Sequence, residues 1–317
     1  MIRSFTLDDG RLNSAPRLRR DAVWIDLIAP TAQEAEEAAD LAGVRVPSRA
    51  DMEEIEVSSR LYLAGGAAFM TAILPAHTDG DDPDMAPVSF VLSEAHLLTV
   101  RHHTPRAFET FPVAAARGSA DLTDSHAVLV ALLEALVDRL ADILERAASD
   151  IDAISRRVFR SGGNGERDFQ AMLEEIGRKG DLTSNMRDSL VTLDRLARFL
   201  GQLTARRDAS RDMRDRLKVL SRDVGSLLDH AGFLSQKITF LLDATLGMIS
   251  IEQNAIIKIF SVVAVMLMPP TLIASVYGMN FEHMPELGWP FGYPLALALM
   301  VVSAIVPWLY FRRRGWL

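Results

Sequence analysis

The strongest constraint on this chain lies at its C-terminal end, where two long runs carry no charged side chain. The first extends from Ile259 to Phe281 and the second from Leu287 to Phe311. As a helix rising about 1.5 Å per residue, the first run reaches roughly 35 Å, more than the ~30 Å hydrocarbon core of a bilayer. The second has a similar reach. Buried helices of soluble proteins rarely sustain such runs, so both are expected to span a membrane. Trp289, Tyr293, Trp308 and Tyr310 sit towards the ends of the second run, where interfacial aromatic side chains belong.

Basic residues set the expected orientation. Lys258 precedes the first span, and Arg312, Arg313 and Arg314 follow the second, while the connection holds Glu282, His283 and Glu286 and no Lys or Arg. The positive-inside rule then puts both termini in the cytoplasm and the short connection outside. Nearly all the charge lies before residue 250 or so, and the formal net charge is −8. A basic face for nucleic acid is therefore not expected. The chain has no cysteine, which excludes disulfides, thiolate metal sites and cysteine nucleophiles. Met1-Ile2-Arg3-Ser4-Phe5-Thr6 lacks the apolar run of a signal peptide.

Residues 1–118 read as a mixed α/β domain. Ala22 to Ile28 is an expected strand, and Thr31 with Glu34 forms a capping box opening a helix to about Leu41. Leu61–Ala64, Gly65-Gly66 and Ala67–Leu74 read as a hairpin; Val88–Leu92 and His96–Val100 read as another. Residues 119–205 read as a helical hairpin, with helices from Ser125 to Phe159 and from about Glu166 to Leu203, joined through Ser161-Gly162-Gly163-Asn164-Gly165. Gly180 weakens the middle of the second helix.

Residues 206–276 read as one helix, on the order of 100 Å long, running into the first span. Leu220, Val224, Leu227, Ala231, Leu234, Ile238, Leu241, Thr245 and Met248 step by four and three, which is a heptad seam. Such a seam is buried either by self-association around an axis, the simpler expectation, or by the chain's own helical hairpin. Higher up, Asn254, Ile257, Ser261, Ala264, Met268, Thr271 and Ser275 again step by three and four, and most are small or polar. In lipid such a stripe faces protein or water. Small residues alone fit tight helix packing; Asn254, Thr271 and Asn280 on the same line favour a water-filled path. The spans hold no ionisable side chain of the kind that proton-coupled carriers use.

The first span ends in Tyr277-Gly278-Met279-Asn280, and the connection continues Phe281-Glu282-His283-Met284-Pro285-Glu286-Leu287. Gly-Met-Asn directly after a first span, followed by Met-Pro-Glu-Leu, resembles the CorA family of magnesium channels. Ala22–Leu27, Ile249–Phe260 and Met268–Leu317, ending in Gly315-Trp316-Leu317, are similar to its enterobacterial-type members. The resemblance implies a funnel-shaped homopentamer: a cytoplasmic α/β domain plus two C-terminal transmembrane helices, the first reached by a long stalk helix over 206–276 that runs into it and the second at 290–311. Residues 277–289 would be the periplasmic loop and 312–317 a basic cytoplasmic tail in the inner membrane. It also implies no cofactor, with Mg²⁺ as transported and regulatory ion, and passage of Co²⁺ and Ni²⁺. Gly278, Met279 and Asn280 would form the ion entrance. Met268, Thr271 and Ser275 would line the upper pore, with Ser261 and Ala264 below. Asn254, Ile257 and Phe260 would lie at the cytoplasmic constriction.

The physics suits that role. Mg²⁺ sheds its water reluctantly, so a ring of amide oxygens can hold the hydrated ion without trapping it. A divalent ion moving inward gains about 4.6 kcal/mol per 100 mV, twice the single-charge value, so no nucleotide is needed. Glu282 and Glu286 either concentrate cations at the mouth or are simply solvated. Asp81, Asp82 and Asp84 lie in the acidic segment His77–Asp84. They are either a solvated turn or half of a regulatory metal site completed by Asp223 or Asp229 of a neighbouring copy, as family members are built. The rival readings are a zinc transporter of the same fold and a membrane-tethered coiled-coil scaffold. Zinc sites favour Cys and His, and only His283 lies near the mouth. No phosphate loop, His-Glu-x-x-His or nucleophile elbow is present, so no enzyme activity is expected.

Overall fold

The computed structural model describes residues 1–15, 17–118, 122–159, 168–206, 210–280 and 284–316. The chain separates into two compact units, Met1–Leu242 and Asp243–Leu317. The linker expected at Ser161–Gly165 lies outside the described residues.

The first unit is built on a seven-stranded sheet. Its strands are β1 (Ile2–Asp8), β2 (Arg11–Ala15), β3 (Trp24–Ile28), β4 (Leu61–Ala64), β5 (Ala67–Ala76), β6 (Asp84–Leu92) and β7 (Leu97–Arg101). They lie in the order β2-β1-β3-β7-β6-β5-β4. Only β3 and β7 pair in parallel; every other neighbour is antiparallel. The β4–β5 hairpin turns at Gly65 and Gly66, with φ of +57° and +80°, as a two-residue hairpin loop requires. The β1–β2 hairpin turns at Asp9 and Gly10, with φ of +47° and +72°. The helix expected after Pro30 is α1 (Ala32–Ala42), opened by the Thr31–Glu34 capping box.

Both faces of the central strands are covered. On one face Ile25, Leu27, Phe69, Val91, Leu98 and Val100 pack with Ala38 of α1 and with Met52 of the short helix α2 (Arg49–Glu53). A single turn of helix, α3 (Val57–Arg60), leads into β4. On the other face Trp24 stacks on Phe5 at 4.5 Å between ring centroids and lies 6.1 Å from Phe108 and 5.9 Å from Phe111 of α4 (Ala107–Ala116). Strands sheltered on two sides lose the alternation of a half-exposed strand.

That double burial encloses charge. Asp26 and Arg101 are both fully buried and pair through two hydrogen bonds, Nε to Oδ1 at 3.0 Å and Nη2 to Oδ2 at 2.8 Å. Thr99 Oγ1 donates to Asp26 Oδ1 at 2.8 Å, and Trp24 Nε1 donates to Thr99 Oγ1 at 3.0 Å. Arg101 Nη1 donates to the His103 carbonyl and to Thr104 Oγ1, both at 2.8 Å, and the guanidinium lies over the Phe108 ring. The network crosses the single parallel pairing and joins it to the aromatic layer.

The helical layer consists of α5 (Ser125–Phe159), α6 (Phe169–Arg206) and the first part of α7 (Arg211–Tyr277). Helix α6 passes Gly180 without a break. A Cβ there would meet Ile238 Cγ2 of α7 at 3.7 Å, an ordinary contact. The heptad seam of α7 is buried within the single chain: Leu220, Val224, Ala231, Leu234 and Leu241 are at most 4% exposed. Arg216–Glu134, Lys237–Asp152 and the stacked Phe159–Phe240 rings mark its contacts with α5. The expectation that self-association fills this seam is therefore corrected. Apolar periodicity along a helix signals a partner, and here the partner is the chain's own hairpin. Val219, Phe233 and Phe240, one position before the seam, remain more than half exposed.

Breaking a buried ion pair by removing one partner strands the other charge. Asp26→Ala is expected to cost about 3–5 kcal/mol of unfolding free energy, and the joint change Asp26→Leu with Arg101→Met to recover most of it. Denaturant unfolding of the full chain in detergent measures both; a loss for Asp26→Ala no larger than that of a surface pair would dismiss the network as the sheet's staple.

Candidate functional site

The second unit contains the rest of α7 and α8 (Gly292–Arg313), preceded by a 3₁₀ turn at Pro285–Gly288. Both helices contain a stretch long and apolar enough to cross a bilayer. They run side by side in opposite directions. At one end Ala274, Tyr277 and Gly278 of α7 share a cavity of about 390 Å³ with Trp289, Tyr293 and Ala296. At the other, Lys258 Nζ lies 5.8 Å from the centre of the Trp316 ring.

The tail after α8 has a defined local fold. Gly315 takes φ of +69°, its N–H bonds the Arg312 carbonyl, and the Trp316 N–H bonds the Phe311 carbonyl. That is a Schellman termination, and its usual apolar contact is the Trp316 ring stacked on Phe311 at 5.3 Å. Arg312 lies over Trp308 and Arg314 over Tyr310, so the basic end of the span is collared by aromatic rings.

Within α7 the two sides of the helix differ. Val262 is buried, and Met266, Pro269, Pro270, Ile273 and Tyr277 are half-buried. This is the side that α8 covers. Asn254, Ile257, Phe260, Ser261, Ala264, Met268, Thr271 and Ser275 are all exposed in the single chain. At 100° per residue their stripe lies roughly 180° from the covered side. Aliphatic residues flank it: Ile256, Val263 and Leu267 on one side, Val265, Leu272 and Val276 on the other. The small and polar positions thus point away from the chain's own second span.

Two further features of this segment are chemical. Pro269 and Pro270 have no N–H, so the carbonyls of Val265 and Met266 lack their helical donors. Thr271 Oγ1 donates to the Leu267 carbonyl at 2.7 Å, which leaves its oxygen free to accept. A lipid-embedded backbone cannot leave carbonyls open without other donors, water included. The paired prolines were the available sequence signal for this.

The helix ends where the signature begins. Gly278 N–H bonds the Ala274 carbonyl at 2.9 Å, and Met279 N–H the Val276 carbonyl at 3.3 Å. A Cβ on Gly278 would sit 3.1 Å from the Ala274 carbonyl oxygen. Asn280 is exposed just beyond the last turn. Glu282 lies outside the described residues, as does the side chain of Glu286.

The expected regulatory acids are in the first unit, and the structure keeps them apart within one chain. Asp81 pairs with Lys179 and Asp84 with His77. Asp82 is exposed, as are Asp223 and Asp229 on α7. Asp223 instead lies near an acidic ridge on α5, formed by Glu134, Asp138 and Asp142. Burial, then the charges of Glu134, Asp142 and Asp223, raise the pKa of Asp138 above the usual carboxylate range. No group of three or more His, Asp or Glu among the described residues is arranged to hold a metal ion.

Comparison with known proteins covers nearly the whole chain. The model of the family described as CorA-like Mg2+ transporter protein matches residues 20–313. The magnesium transport protein CorA of Mannheimia succiniciproducens is 36% identical, with all of both chains covered, and that of Pasteurella multocida 37% identical with the same coverage. Among solved structures, the complete CorA magnesium transporter of Methanocaldococcus jannaschii superposes with a TM-score of 0.82 over 100% of this chain and 99% of its own, at 20% identity. The α/β domain, the long helix and the C-terminal helix are thus the full CorA fold. With two membrane-spanning helices at its C-terminus and a family match over nearly its whole length, this chain belongs to the CorA family of Mg²⁺ transporters, which are not enzymes.

Proposed function

We propose that this protein is a passive channel for Mg²⁺ influx, driven by the membrane potential and closed by cytoplasmic Mg²⁺. The observation that carries this reading is the polar stripe of α7, exposed on the side away from α8 and ending at Gly278-Met279-Asn280. A homopentamer with α7 around its axis would turn that stripe into a water-filled path and would cover Val219, Phe233 and Phe240. In this reading residues 1–118 and the hairpin 119–205 are cytoplasmic, 206–276 form stalk and first span, and 277–289 face the periplasm. Residues 290–311 form the second span and 312–317 return to the cytoplasm, following the positive-inside rule.

Asn280 would receive the hydrated ion, with Glu282 and Glu286 raising its local concentration. Ser275, Thr271 and Met268 follow, then Ala264 and Ser261. Phe260 and Ile257, both large and exposed, would close the path by dewetting, with Asn254 below them. Co²⁺ and Ni²⁺ would pass as mimics of hydrated Mg²⁺. The relatives' name, magnesium transport protein, supports Mg²⁺ over zinc. For regulation, Asp82 and Asp84 of one copy would approach Asp223 or Asp229 of the next. The acidic ridge beside Asp223 supports a cation there: a group whose pKa is raised by neighbouring carboxylates is relieved by positive charge.

Three measurements test these assignments. Liposomes holding the purified protein under an inside-negative potential should take up Mg²⁺, and Asn280→Ala should lose most of that uptake; uptake of Zn²⁺ but not Mg²⁺ would defeat the proposal. Gly278→Ala should cut uptake at least as strongly while circular dichroism shows unchanged helix content, because its Cβ would press on the Ala274 carbonyl oxygen at 3.1 Å and shift the turn that presents Asn280. Asp138 carries a raised folded-state pKa, so its contribution favours the native state at low pH and is lost as pH rises through that pKa. Asp138→Asn should therefore raise stability at neutral pH, modestly because the site is exposed, and the gain should vanish on acidification. A neutral-pH loss of stability would remove the ridge from this account.

A further inference from the structure

The acidic segment between β5 and β6 is held by cations already present in the chain. Thr78 is buried, with Arg139 donating to its hydroxyl at 2.7 Å and Arg146 to its carbonyl at 2.8 Å. Asp79 accepts from Arg106 at 2.7 Å and from Arg139 at 3.3 Å. Asp81 accepts from Lys179 Nζ at 2.7 Å, and the same ammonium donates to Asp150 of α5 at 2.6 Å. Asp84 closes the segment on His77 at 2.6 Å.

Lys179 differs from the other partners. Its side chain is 7% exposed, whereas Asp81 and Asp150 are 33% and 50% exposed. A compact charge lies between two carboxylates from different elements, beside a cavity of about 220 Å³ that Asp79, Asp81 and Asp150 help line. Burial alone would lower the Lys179 pKa, but the hydrogen bonds that its ammonium donates to Asp150 and Asp81 outweigh it and hold the pKa above the usual lysine value. The ammonium therefore stays charged at every physiological pH. Two carboxylates joined by one central cation is the arrangement in which a divalent ion bridges protein segments.

We propose that Lys179 is a built-in replacement for a bridging divalent cation: it joins Asp81 of the loop to Asp150 of α5, so the loop stays in place whatever the Mg²⁺ concentration, and Asp81 takes no part in Mg²⁺ sensing. The sensing acids of the proposed channel are then those without such a tethered partner. The claim stands on the first unit alone and does not depend on transport.

Hydrogen exchange of the 77–84 segment, followed by mass spectrometry on the full chain in detergent, tests it. So that Mg²⁺ held by Asp82 and Asp84 against a neighbouring copy does not enter the readout, every chain compared carries Asp223→Asn and Asp229→Asn, and in that background exchange should be equally slow in EDTA and in millimolar Mg²⁺. Lys179→Met should speed exchange about tenfold or more in EDTA, the factor expected from losing charged hydrogen bonds, and Mg²⁺ should slow it again by bridging the bared carboxylates. Asp81→Asn, which leaves Lys179 paired with Asp150, should loosen the loop with no response to Mg²⁺ and serves if Lys179→Met does not fold. Exchange in the Asp223→Asn, Asp229→Asn chain that slows on adding Mg²⁺, a Lys179→Met loop as protected as that chain's, or one that stays fast whatever the Mg²⁺, would each overturn the proposal.

Discussion

A bilayer offers no hydrogen-bond partner to a main chain, and that constraint organises this molecule. It requires the first span to be helical, and the chain meets it by running α7 unbroken over 67 residues. Pro269 and Pro270 interrupt the ladder, leaving the Val265 and Met266 carbonyls without helical donors within the span. The same helix is bound to α5 and α6 in the first unit and runs beside α8 in the second.

In the first unit the comparable constraint is charge without water. Asp26 and Arg101 could be replaced by apolar residues with little loss if stability alone mattered. Together with Thr99, Trp24 and the turn at His103–Thr104 they instead fix the register of one parallel pairing in an otherwise antiparallel sheet. Lys179 repeats the device near the surface, where the elements to be joined are a loop and two helices. In both places a cation with several directed donors is used where apolar packing would hold the elements less specifically.

The parts legible in the sequence were those with local causes. Two uncharged runs, a Gly-Gly turn at 65–66, a capping box at Thr31–Glu34 and helical spacing through Ser125–Phe159 each depend on residues close in the chain. The β1–β2 hairpin was missed although Asp9-Gly10 is a turn signal, because Ile2–Asp8 alternates weakly and Arg11–Ala15 is largely polar. Asp26 and Arg101 look like surface residues in sequence, since only tertiary structure reveals a strand covered on both sides. The partner of Asp81 is hidden in sequence for the same reason: Lys179 is 98 positions away. The seam of α7 was recognised as a seam, but periodicity does not say whose helix fills it. The stripe from Asn254 to Ser275 was legible in composition; that it faces away from α8 was not.

The aromatic collar of α8 has a consequence for the lipid around it. Tyr293 marks one interface and Tyr310 the other, and a helix carries them about 26 Å apart. A typical hydrocarbon core is about 30 Å thick. Rings that seek the headgroup level therefore leave this helix almost no freedom to tilt, and the bilayer must thin slightly to meet them. The acyl-chain length of the host membrane acts on the protein as hydrophobic mismatch, with shorter lipids relieving the strain and longer ones increasing it.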